Sequence, residues 1–262
     1  MDALTALRLQ LEWGADEALG DAPVDRYAAV STPPPPMVLT RRPMDAAVLA
    51  APVAVTRAQA TAAAAMTLAA LMEALAAFDG CALAATAGKL VFADGNPASG
   101  LMVIGDCPGD EEDRAGKPFV GPAGQLLDRM FASIGLDRGG FLATNVVPWR
   151  PPGNRPPTDV EIATCLPFLL RHIALVAPRR LVLLGNLATR AVLGGTVALS
   201  RVRGRWHEVR VAGIDLPIPA LPMAHPLGLM KAPRGKREAW GDLLRLRQAL
   251  DADPGERGAT QT

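Results

Sequence analysis

Residues 101–121 read LMVIGDCPGDEEDRAGKPFVG, and the rest of the chain is interpreted outward from them. The apolar run 101–104, ended by Gly105, is typical of a strand that is buried on both faces of a parallel sheet. Five carboxylates follow within residues 106–113, interrupted by a proline and a glycine. Because open α/β sheets carry their sites in loops at the carboxyl ends of parallel strands, this acidic loop is a candidate functional site.

The residues after the acidic loop predict an aromatic side chain followed by a helix. Phe119 stands among prolines and glycines with no helical or strand period, so we predict that its ring is exposed. Apolar residues then recur at helical spacing through residues 123–134, and Gly135 ends that helix. The stretch therefore predicts a strand, an acidic loop, an exposed aromatic ring and a helix, in that order.

Strands and helices continue to alternate towards the C-terminus. We predict strands over 141–145, 180–184 and 218–223, an edge strand over 206–211, a short strand over 89–92, and helices over 158–176, 187–193 and 236–250. Thr158 and Glu161 have the spacing of a capping box at the start of a helix. The alternation predicts a three-layer α/β/α sandwich around a central, mainly parallel sheet of about four strands.

The first part of the chain differs in composition from the rest. Four consecutive prolines at 33–36 predict a polyproline linker, and the alanine-rich segment 46–77 predicts one or two helices. We therefore expect residues 1–80 to form an N-terminal appendage, residues 81–252 to form the domain that carries the chemistry, and residues 253–262 to form a flexible tail.

Composition and charge limit the classes of function. Half of the 262 residues are apolar, which is ample for a core, and the formal net charge is +1. Residues 199–250 nevertheless hold ten Lys and Arg against four acids, a balance that suits a polyanionic ligand. No apolar run reaches the length of a membrane span, and the first residues lack the pattern of a signal peptide. We expect a cytoplasmic monomer that does not contact membranes.

Three motifs, in order, resemble those of the family 4 uracil-DNA glycosylases. Residues 105–113 read GDCPGDEED and residues 116–127 read GKPFVGPAGQLL, close to the family's G-E-A-P-G-E-E-E-D and G-x-P-F-V-G-x-A-G-Q-L-L. The resemblance continues through TNVVPWRPPGNRPP at 144–157 and AHPLGLM at 224–230. It implies a DNA-repair enzyme that flips uracil out of single- or double-stranded DNA and hydrolyses its N-glycosidic bond, leaving an abasic site.

The resemblance implies a set of residues that recognise the base. Phe119 offers a face on which flipped uracil can stack, with a core phenylalanine as the alternative. The Asn145 amide can pair with both O4 and N3–H of uracil and reject cytosine, with strand capping as the alternative. Gly105 and Cys107 complete this predicted pocket, and we interpret Cys107 as a small buried filler rather than a nucleophile.

Two residues are predicted to act in catalysis. His225 matches the family histidine that donates to uracil O2 as negative charge develops there. Asp106 stands where the family usually has glutamate, so its reach towards a water or the sugar is about 1.5 Å shorter. A displacement of that size is expected to weaken catalysis or to change which base is accepted. The carboxylates at 110–113 are interpreted as groups that order the loop, since their spacing is not that of a calcium loop.

Contacts with DNA are predicted from the same motifs and from the basic C-terminal third. The predicted residues are Arg150, Asn154, Leu227, Leu229, Arg234 and Lys236. Leu229 aligns best with the leucine that fills the gap left by the flipped base, and a hydrophobic anchor is the alternative. Asn154 either contacts a phosphate or braces its own loop.

The cysteines depart from the family pattern. Family members commonly hold an iron–sulfur cluster on four cysteines, of which Cys81 and Cys165 match two. Ala84 and Trp149 occupy the other two positions, and neither side chain ligates iron. We therefore predict no metal and no cluster, with Trp149 packed where the cluster would lie. Three cysteines do not indicate a disulfide framework.

Two other classes of function stay open at this point. One is a metal-dependent hydrolase that uses the acidic loop and His225 as ligands. The other is a degenerate glycosylase fold that is kept only as a DNA-binding module. Release of free base from a uracil-containing oligonucleotide distinguishes all three.

Overall fold

A computed structural model of the protein describes residues 46–195, 198–232 and 235–252, with side chains from Val53 onward. The described residues belong to one compact unit, which includes residues on both sides of the predicted boundary at residue 80. Helices α1 (Ala46–Ala64) and α2 (Leu68–Ala76) are part of this unit. The predicted polyproline linker and the C-terminal tail lie outside the described residues.

The N-terminal helices belong to the unit because their small side chains allow close packing. Ala58 and Ala62 are fully or almost fully buried, and α1 and α2 pack against α5 (Asp159–Val176). The alanine-rich composition, which predicted helices correctly, thus also supplies a flat contact surface. The Arg171 guanidinium of α5 donates to the Ala65 carbonyl at the end of α1, at 2.8 Å, and fixes this contact.

The sheet has six strands, in the order β1-β3-β2-β4-β6-β5. The strands are β1 (Asp94–Gly95), β2 (Leu101–Gly105), β3 (Leu142–Asn145), β4 (Arg180–Leu184), β5 (His207–Val209) and β6 (Ile218–Met223). The four central strands are parallel, as predicted, and the short strands β1 and β5 pair antiparallel at the two edges. The predicted strand over 89–92 is not formed, and β1 begins two residues later.

Alternating side chains of the sheet contribute to two hydrophobic cores. On β2, Met102 and Ile104 face the core that contains α1, α2 and α5, whereas Leu101 and Val103 face the other core. That second core is completed by α4 (Pro122–Ala132) and α9 (Lys236–Asp251). Since every residue of β2 is buried, helices cover both faces, and the three-layer α/β/α architecture is confirmed.

Local sequence signals account for most element ends. Thr158 and Glu161 form the predicted capping box of α5, and Gly116 ends a short helix, α3 (Asp110–Ala115), in the left-handed conformation. The acidic stretch 110–113 is therefore the first turn of a helix, where carboxylates favour the N-terminal end of the dipole. The remaining helices are α6 (Asn186–Leu193), α7 (Leu199–Val202) and α8 (Pro226–Lys231). Among the described residues, no helix is long and apolar enough to cross a membrane.

Candidate active site

A cavity of about 510 Å³ opens where the parallel strands end, within the size range of small-ligand sites. Its wall is built from the loop after β2, the segment around Phe119, the end of β3 and the start of α8. The lining residues include Cys107, Pro108, Asp110, Glu112, Phe119, Asn145, Asn154, His225, Leu227, Met230 and Lys231. The three sequence motifs, which are far apart along the chain, thus meet at one edge of the sheet.

Gly105 allows two lining side chains to converge. It pairs with Asn145 in the parallel ladder between β2 and β3. A Cβ atom on Gly105 would lie 2.5 Å from the Phe119 ring and 2.6 Å from Asn145 Oδ1, which is closer than real Cβ contacts come. A side chain at this position would therefore push either the ring or the amide out of place. Gly105, a predicted pocket residue, contributes to the pocket because its lack of a side chain leaves room for the Phe119 ring and the Asn145 amide.

Phe119 is buried, with 4% of its surface exposed, so the prediction of an exposed ring is wrong. Its ring lines the cavity and also belongs to the second core, because Gly124 lets α4 approach its backbone closely. The backbone at Phe119 has φ 56°, a left-handed conformation that costs energy for a bulky residue. Arg138 donates to the Phe119 carbonyl and stabilises this conformation. Sequence reasoning missed Arg138, since it lies outside the motifs.

Asn145 lies at the end of β3, is buried, and lines the cavity. Its backbone is held in the ladder opposite Gly105. Its side-chain amide has no hydrogen-bond partner anywhere in the part of the chain that the structure describes. Because Asn145 lines the cavity, its amide donor and acceptor are available to a ligand there. The alternative, in which the Asn145 side chain caps its own strand, would require a hydrogen bond from that side chain to the nearby backbone, and none is formed among the described residues.

His225 is held in one orientation by the backbone of α8. Its Nδ1 accepts a hydrogen bond from the Leu227 N–H at 3.1 Å, and its ring lies 6.0 Å from the Phe119 ring, centroid to centroid. Most of the imidazole is surrounded by protein, and this desolvation lowers its pKa to about 4, although the Glu112 carboxylate acts in the opposite direction. Because Nδ1 is an acceptor, the neutral ring carries its proton on Nε2. His225 is therefore a neutral N–H donor at neutral pH.

Asp106 points away from the cavity wall. Its carboxylate accepts the Ala188 N–H of α6 at 2.9 Å and also the Leu187 N–H, and Asp106 does not line the cavity. Burial raises the pKa of Asp106 to about 6, while the two backbone donors and Arg190 oppose this rise. The backbone of Asp106 extends the pairing with the chain after β3, since its carbonyl accepts the Val147 N–H.

The other carboxylates of the acidic loop hold the loop in shape, as predicted. Glu112 accepts the N–H groups of Gly109 at 3.1 Å and Gly121 at 2.9 Å, so one side chain joins the loop to the start of α4. Asp113 accepts the N–H groups of Gly88 and Lys89. Glu112 also lines the cavity near His225, a position that sequence reasoning did not assign.

Cys107 lies on the cavity wall with an intermediate exposure. Burial, followed by the charges of Asp106 and Glu112, raises its pKa to about 12. The thiol is therefore protonated at neutral pH and is a poor nucleophile. In the described part of the chain, no group of three or more His, Cys, Asp or Glu side chains is arranged to hold a metal ion.

Arg150 and Asn154 brace the rim of the cavity. Arg150 Nη2 pairs with Asp110 at 2.5 Å, and its Nε donates to Asn154 Oδ1 at 2.8 Å. Asn154 in turn donates to Asp110 at 3.0 Å, which closes a ring of three side chains. This ring ties the proline-rich loop to α3. Of the two alternatives for Asn154, bracing of the loop is the one that the contacts describe.

The two predicted leucines on α8 differ in exposure. Leu227 is 47% exposed at the cavity mouth, whereas Leu229 is 4% exposed and packs inside the protein. The burial of Leu229 favours the alternative of a hydrophobic anchor over the role of inserting leucine. Met230 and Lys231 continue the exposed rim from Leu227.

The basic C-terminal third is only partly available to a ligand. Arg203 pairs with the buried Asp242 at 2.8 Å and with Glu238, so it stabilises the packing of α9. Lys236 is exposed at the start of α9 and has no ion-pair partner among the described residues. Arg234 lies outside the described residues.

A second region lies beyond β3 and contains the four positions, 81, 84, 149 and 165, that the sequence analysis compared with cluster ligands. Cys81 and Cys165 are both buried and share a thiol–thiol hydrogen bond, which lowers the pKa of Cys81 and raises that of Cys165. Trp149, 4% exposed, belongs to the same hydrophobic core as both cysteines, and Ala84 packs against that core. Two thiols, a methyl group and an indole do not fit a group that needs four thiolates.

Comparisons with known proteins identify the family of this chain. Residues 92–244 match the model of the Uracil DNA glycosylase superfamily. The type-4 uracil-DNA glycosylase of Pyrobaculum aerophilum is 37% identical over 182 residues, which cover 68% of this chain and 92% of that protein. Those of Archaeoglobus fulgidus and Saccharolobus solfataricus are 35% and 34% identical and cover 63% and 62% of this chain, and 84% and 76% of their own lengths. The chain belongs to the uracil DNA glycosylase superfamily and, within it, to the type-4 uracil-DNA glycosylases.

Proposed function

We propose that this protein is a DNA-repair glycosylase that binds uracil flipped out of DNA and hydrolyses its N-glycosidic bond, leaving an abasic site. The observation that carries the proposal is the unpaired Asn145 amide in the cavity, beside the Phe119 ring and the neutral His225. Family membership supports the same reaction, since the relatives above are named for it.

Recognition of uracil follows from the Asn145 amide. Its NH₂ group donates to uracil O4 and its carbonyl accepts N3–H, so one side chain satisfies both groups on that edge of the base. Cytosine presents a donor and an acceptor in reversed positions, which leaves the amide of Asn145 facing like groups. The Phe119 ring supplies the apolar face against which the flipped base packs.

Catalysis requires stabilisation of the uracil anion as the glycosidic bond breaks. His225 Nε2–H donates to uracil O2, where negative charge develops. The neutral imidazole already carries this proton on Nε2, so no change of protonation is needed before the step. The hydrogen bond from the Leu227 N–H to Nδ1 fixes this tautomer and the ring orientation. Cys107 contributes shape as a neutral thiol on the same wall.

Asp106 enters the proposal through its charge. When ionised, it places a negative charge behind the cavity floor, and such a charge favours the cationic, oxocarbenium-like sugar of the transition state. Its carboxylate is held by α6, so we assign it no direct contact with water. The pKa of about 6 means that this charge is lost in mild acid.

DNA contacts are proposed along the cavity rim. Leu227 fills the gap left by the flipped base, and Leu229 anchors α8 beneath it. Arg150, Arg234 and Lys236 contact phosphates, and Asn154 holds the rim in shape for them. Lys231, which lines the cavity and is exposed, is assigned to phosphate contact as well. No Schiff-base lyase step is proposed, so borohydride should trap no covalent adduct between enzyme and DNA.

We also propose that this protein holds no iron–sulfur cluster. This proposal is supported by the identity of the residues at the four ligand positions, two of which cannot bind iron. Burial of Trp149 in the core beside Cys81 and Cys165 supplies the packing that a cluster would otherwise provide.

The experiment that tests the function is release of free base from single- and double-stranded oligonucleotides with one uracil, in the presence of EDTA. We expect uracil release that is unaffected by EDTA and an abasic product that remains uncut. Loss of activity in EDTA would favour a metal-dependent hydrolase. Binding of DNA without base release would favour a degenerate glycosylase fold.

A further inference from the structure

A second concave surface lies beside the cavity, between α4 and α9. This surface, called here the Trp240 groove, encloses about 260 Å³ and is lined mainly by Leu126, Met130, Leu229, Trp240 and Leu243, with Arg129 and Lys236 at its edges. Its volume is large enough for one planar aromatic group. None of the residue roles described above uses the groove, apart from Leu229 as an anchor and Lys236 as a phosphate contact.

Trp240 is more exposed than the other two tryptophans that the structure describes, Trp149 and Trp206. It is 45% exposed, whereas Trp149 is 4% exposed in the core. An exposed indole in an apolar groove offers a flat face without a partner, because no aromatic ring contact is formed by Trp240 among the described residues. Bases of single-stranded DNA stack on such faces in a manner that tolerates any sequence.

The charges around the groove suit a phosphate backbone. Arg129 and Lys236 are both exposed, and neither has an ion-pair partner among the residues that the structure describes. Lys231, on the rim of the cavity, lies on α8 between the cavity and the groove. Basic side chains therefore continue from the uracil cavity to the groove, as one DNA strand would require.

The groove lies close to the cavity along helix α4. Helix α4 lines the cavity at Pro122 and Ala123 and lines the groove between Leu126 and Ser133. The middle of that second stretch, near Arg129, lies about 9 Å from Ala123 along the helix, at about 1.5 Å per residue. A stacked DNA strand advances about 3.4 Å per nucleotide. The groove thus lies within about three nucleotides of a base held in the cavity.

We propose that the Trp240 groove binds an unpaired base of the uracil-containing strand, within about three nucleotides of the uracil, by stacking on Trp240. Arg129 and Lys236 contact the phosphates that flank this base. The inference rests on the proposed function, because the uracil in the cavity fixes where the strand begins. The protein would then bind an unpaired nucleotide on one side of the uracil, whatever its base.

The test uses single-stranded oligonucleotides with one uracil, in which each of the three neighbouring nucleotides on either side is replaced in turn by an abasic spacer. For the wild type, kcat/KM for uracil release should fall about 5- to 150-fold at one spacer position, the effect of losing one stacked base. Trp240→Ala should show the same fall on the intact strand and no further fall at that position, because both changes remove one interaction. Trp240→Phe should retain most of the activity.

The matched control is Leu244→Ala, which removes an exposed apolar side chain of α9 outside the groove and should behave like wild type. Equal sensitivity of wild type and Trp240→Ala to every spacer would overturn the inference and leave the groove to a partner such as an acidic peptide. Affinity for a uracil-free single strand gives a separate measurement. There Trp240→Ala should bind more weakly by the same factor, and equal affinity would also overturn the inference. Absence of base release by the wild type contradicts the proposed function alone.

Discussion

Two regions meet at the end of β3 and differ in how their side chains are arranged: the cavity side, around Asn145, and the packed side, around Trp149, Cys81 and Cys165. Asn145 faces the cavity with an amide that nothing in the described protein satisfies, whereas Trp149, four residues later, is packed among apolar side chains and two buried thiols. The first side keeps Phe119, Asn145 and His225 at the positions that match the family motifs, although Asp106 stands in place of a glutamate. The second side has lost two of four cluster ligands. Recognition of a base requires particular donors and acceptors, but ordering of a loop requires only that something fill the space.

This comparison also explains how the proline-rich loop can be ordered without a metal. Prolines at 148, 151, 152, 156 and 157 restrict the unfolded loop, which lowers the entropy lost on folding. Arg155 forms a two-pronged pair with Glu161, at 2.9 and 2.6 Å, and Asn154 joins the ring with Arg150 and Asp110. Packing and hydrogen bonds thus hold the segment between Asn145 and α5 from both ends.

The largest effect is expected for Asn145→Asp. The carboxylate keeps an acceptor for N3–H but loses the donor to O4, and a desolvated negative charge then faces O4. We expect kcat/KM for uracil release to fall by about 10⁴-fold, as in sites that lose a required hydrogen-bond partner. Asn96→Asp is the control, since Asn96 caps a surface turn with its side-chain oxygen and aspartate can do the same. Full activity of Asn145→Asp would show that Asn145 does not read the uracil edge.

The packed side should respond to Trp149→Ala in stability. Removal of a buried indole should lower the free energy of unfolding by about 3–5 kcal/mol, measured by chemical denaturation. Trp149→Phe should lose less, and Leu216→Ala, at an exposed side chain, should lose nothing measurable. A Trp149→Ala protein as stable as wild type would mean that the indole does not hold this region together.

His172, also on the packed side, should make stability depend on pH. Burial lowers its pKa to about 4, its Nε2 has no hydrogen-bond partner in the described structure, and its ring stacks on Phe92. Because the unfolded value is about 6.5, the stabilisation is complete above that pH and is lost as the pH falls to 4, by about 3 kcal/mol. His172→Phe should keep the stacking and flatten this part of a plot of stability against pH. An unchanged slope would assign the acid sensitivity to other groups, such as His225.

Asp106→Asn tests whether the charge behind the cavity floor matters. With a pKa raised to about 6, Asp106 is ionised above that pH, and wild-type kcat/KM should fall about tenfold for each pH unit below it. Asp106→Asn should lower the activity at pH 7 and remove this acid limb. If the variant keeps the same acid limb, Asp106 only accepts the N–H groups of α6 and another group titrates.

The smallest effects belong to single basic residues on the rim. Lys231→Ala and Lys236→Ala should each reduce the slope of log affinity against log salt by about one unit, without altering base preference. One unit corresponds to about a fourfold change in affinity between 50 and 200 mM salt. Arg201→Ala, at an exposed arginine outside both concave surfaces, serves for comparison. Unchanged slopes in both lysine variants would remove this rim from the DNA interface.

Most of the fold could be predicted because its central strands and helices carry strong periodic patterns. The runs 101–104, 180–184 and 218–223 all became parallel strands of the sheet. Strand β1 has two residues, which is too short to show a period, and the pattern wrongly predicts a strand at 89–92 instead. Pro108 and Gly109 predict a loop where helix α3 forms, although the four acidic residues in its first turn are a signal of a helix start.

The site residues could be predicted, but several of their orientations could not. Leu227 and Leu229 lie two positions apart on α8, so they point in different directions, and only packing against α4 decides which is buried. Phe119 is buried because Gly105 and Gly124 make room for it. The contact between Gly105 and the Phe119 ring depends on the tertiary structure. The direction of the Asp106 carboxylate depends on α6, eighty residues further along the chain. These are contacts between distant segments, which local sequence does not specify.

The most direct test of the central claim is the iron and acid-labile sulfide content of anaerobically purified protein, measured on the same sample whose uracil release is assayed. The claim that uracil chemistry is retained where the cluster has been replaced by packing predicts repeated turnover on a uracil-containing oligonucleotide by protein that holds neither iron nor sulfide. Stoichiometric iron and sulfide, with activity that disappears when they are removed, would contradict it.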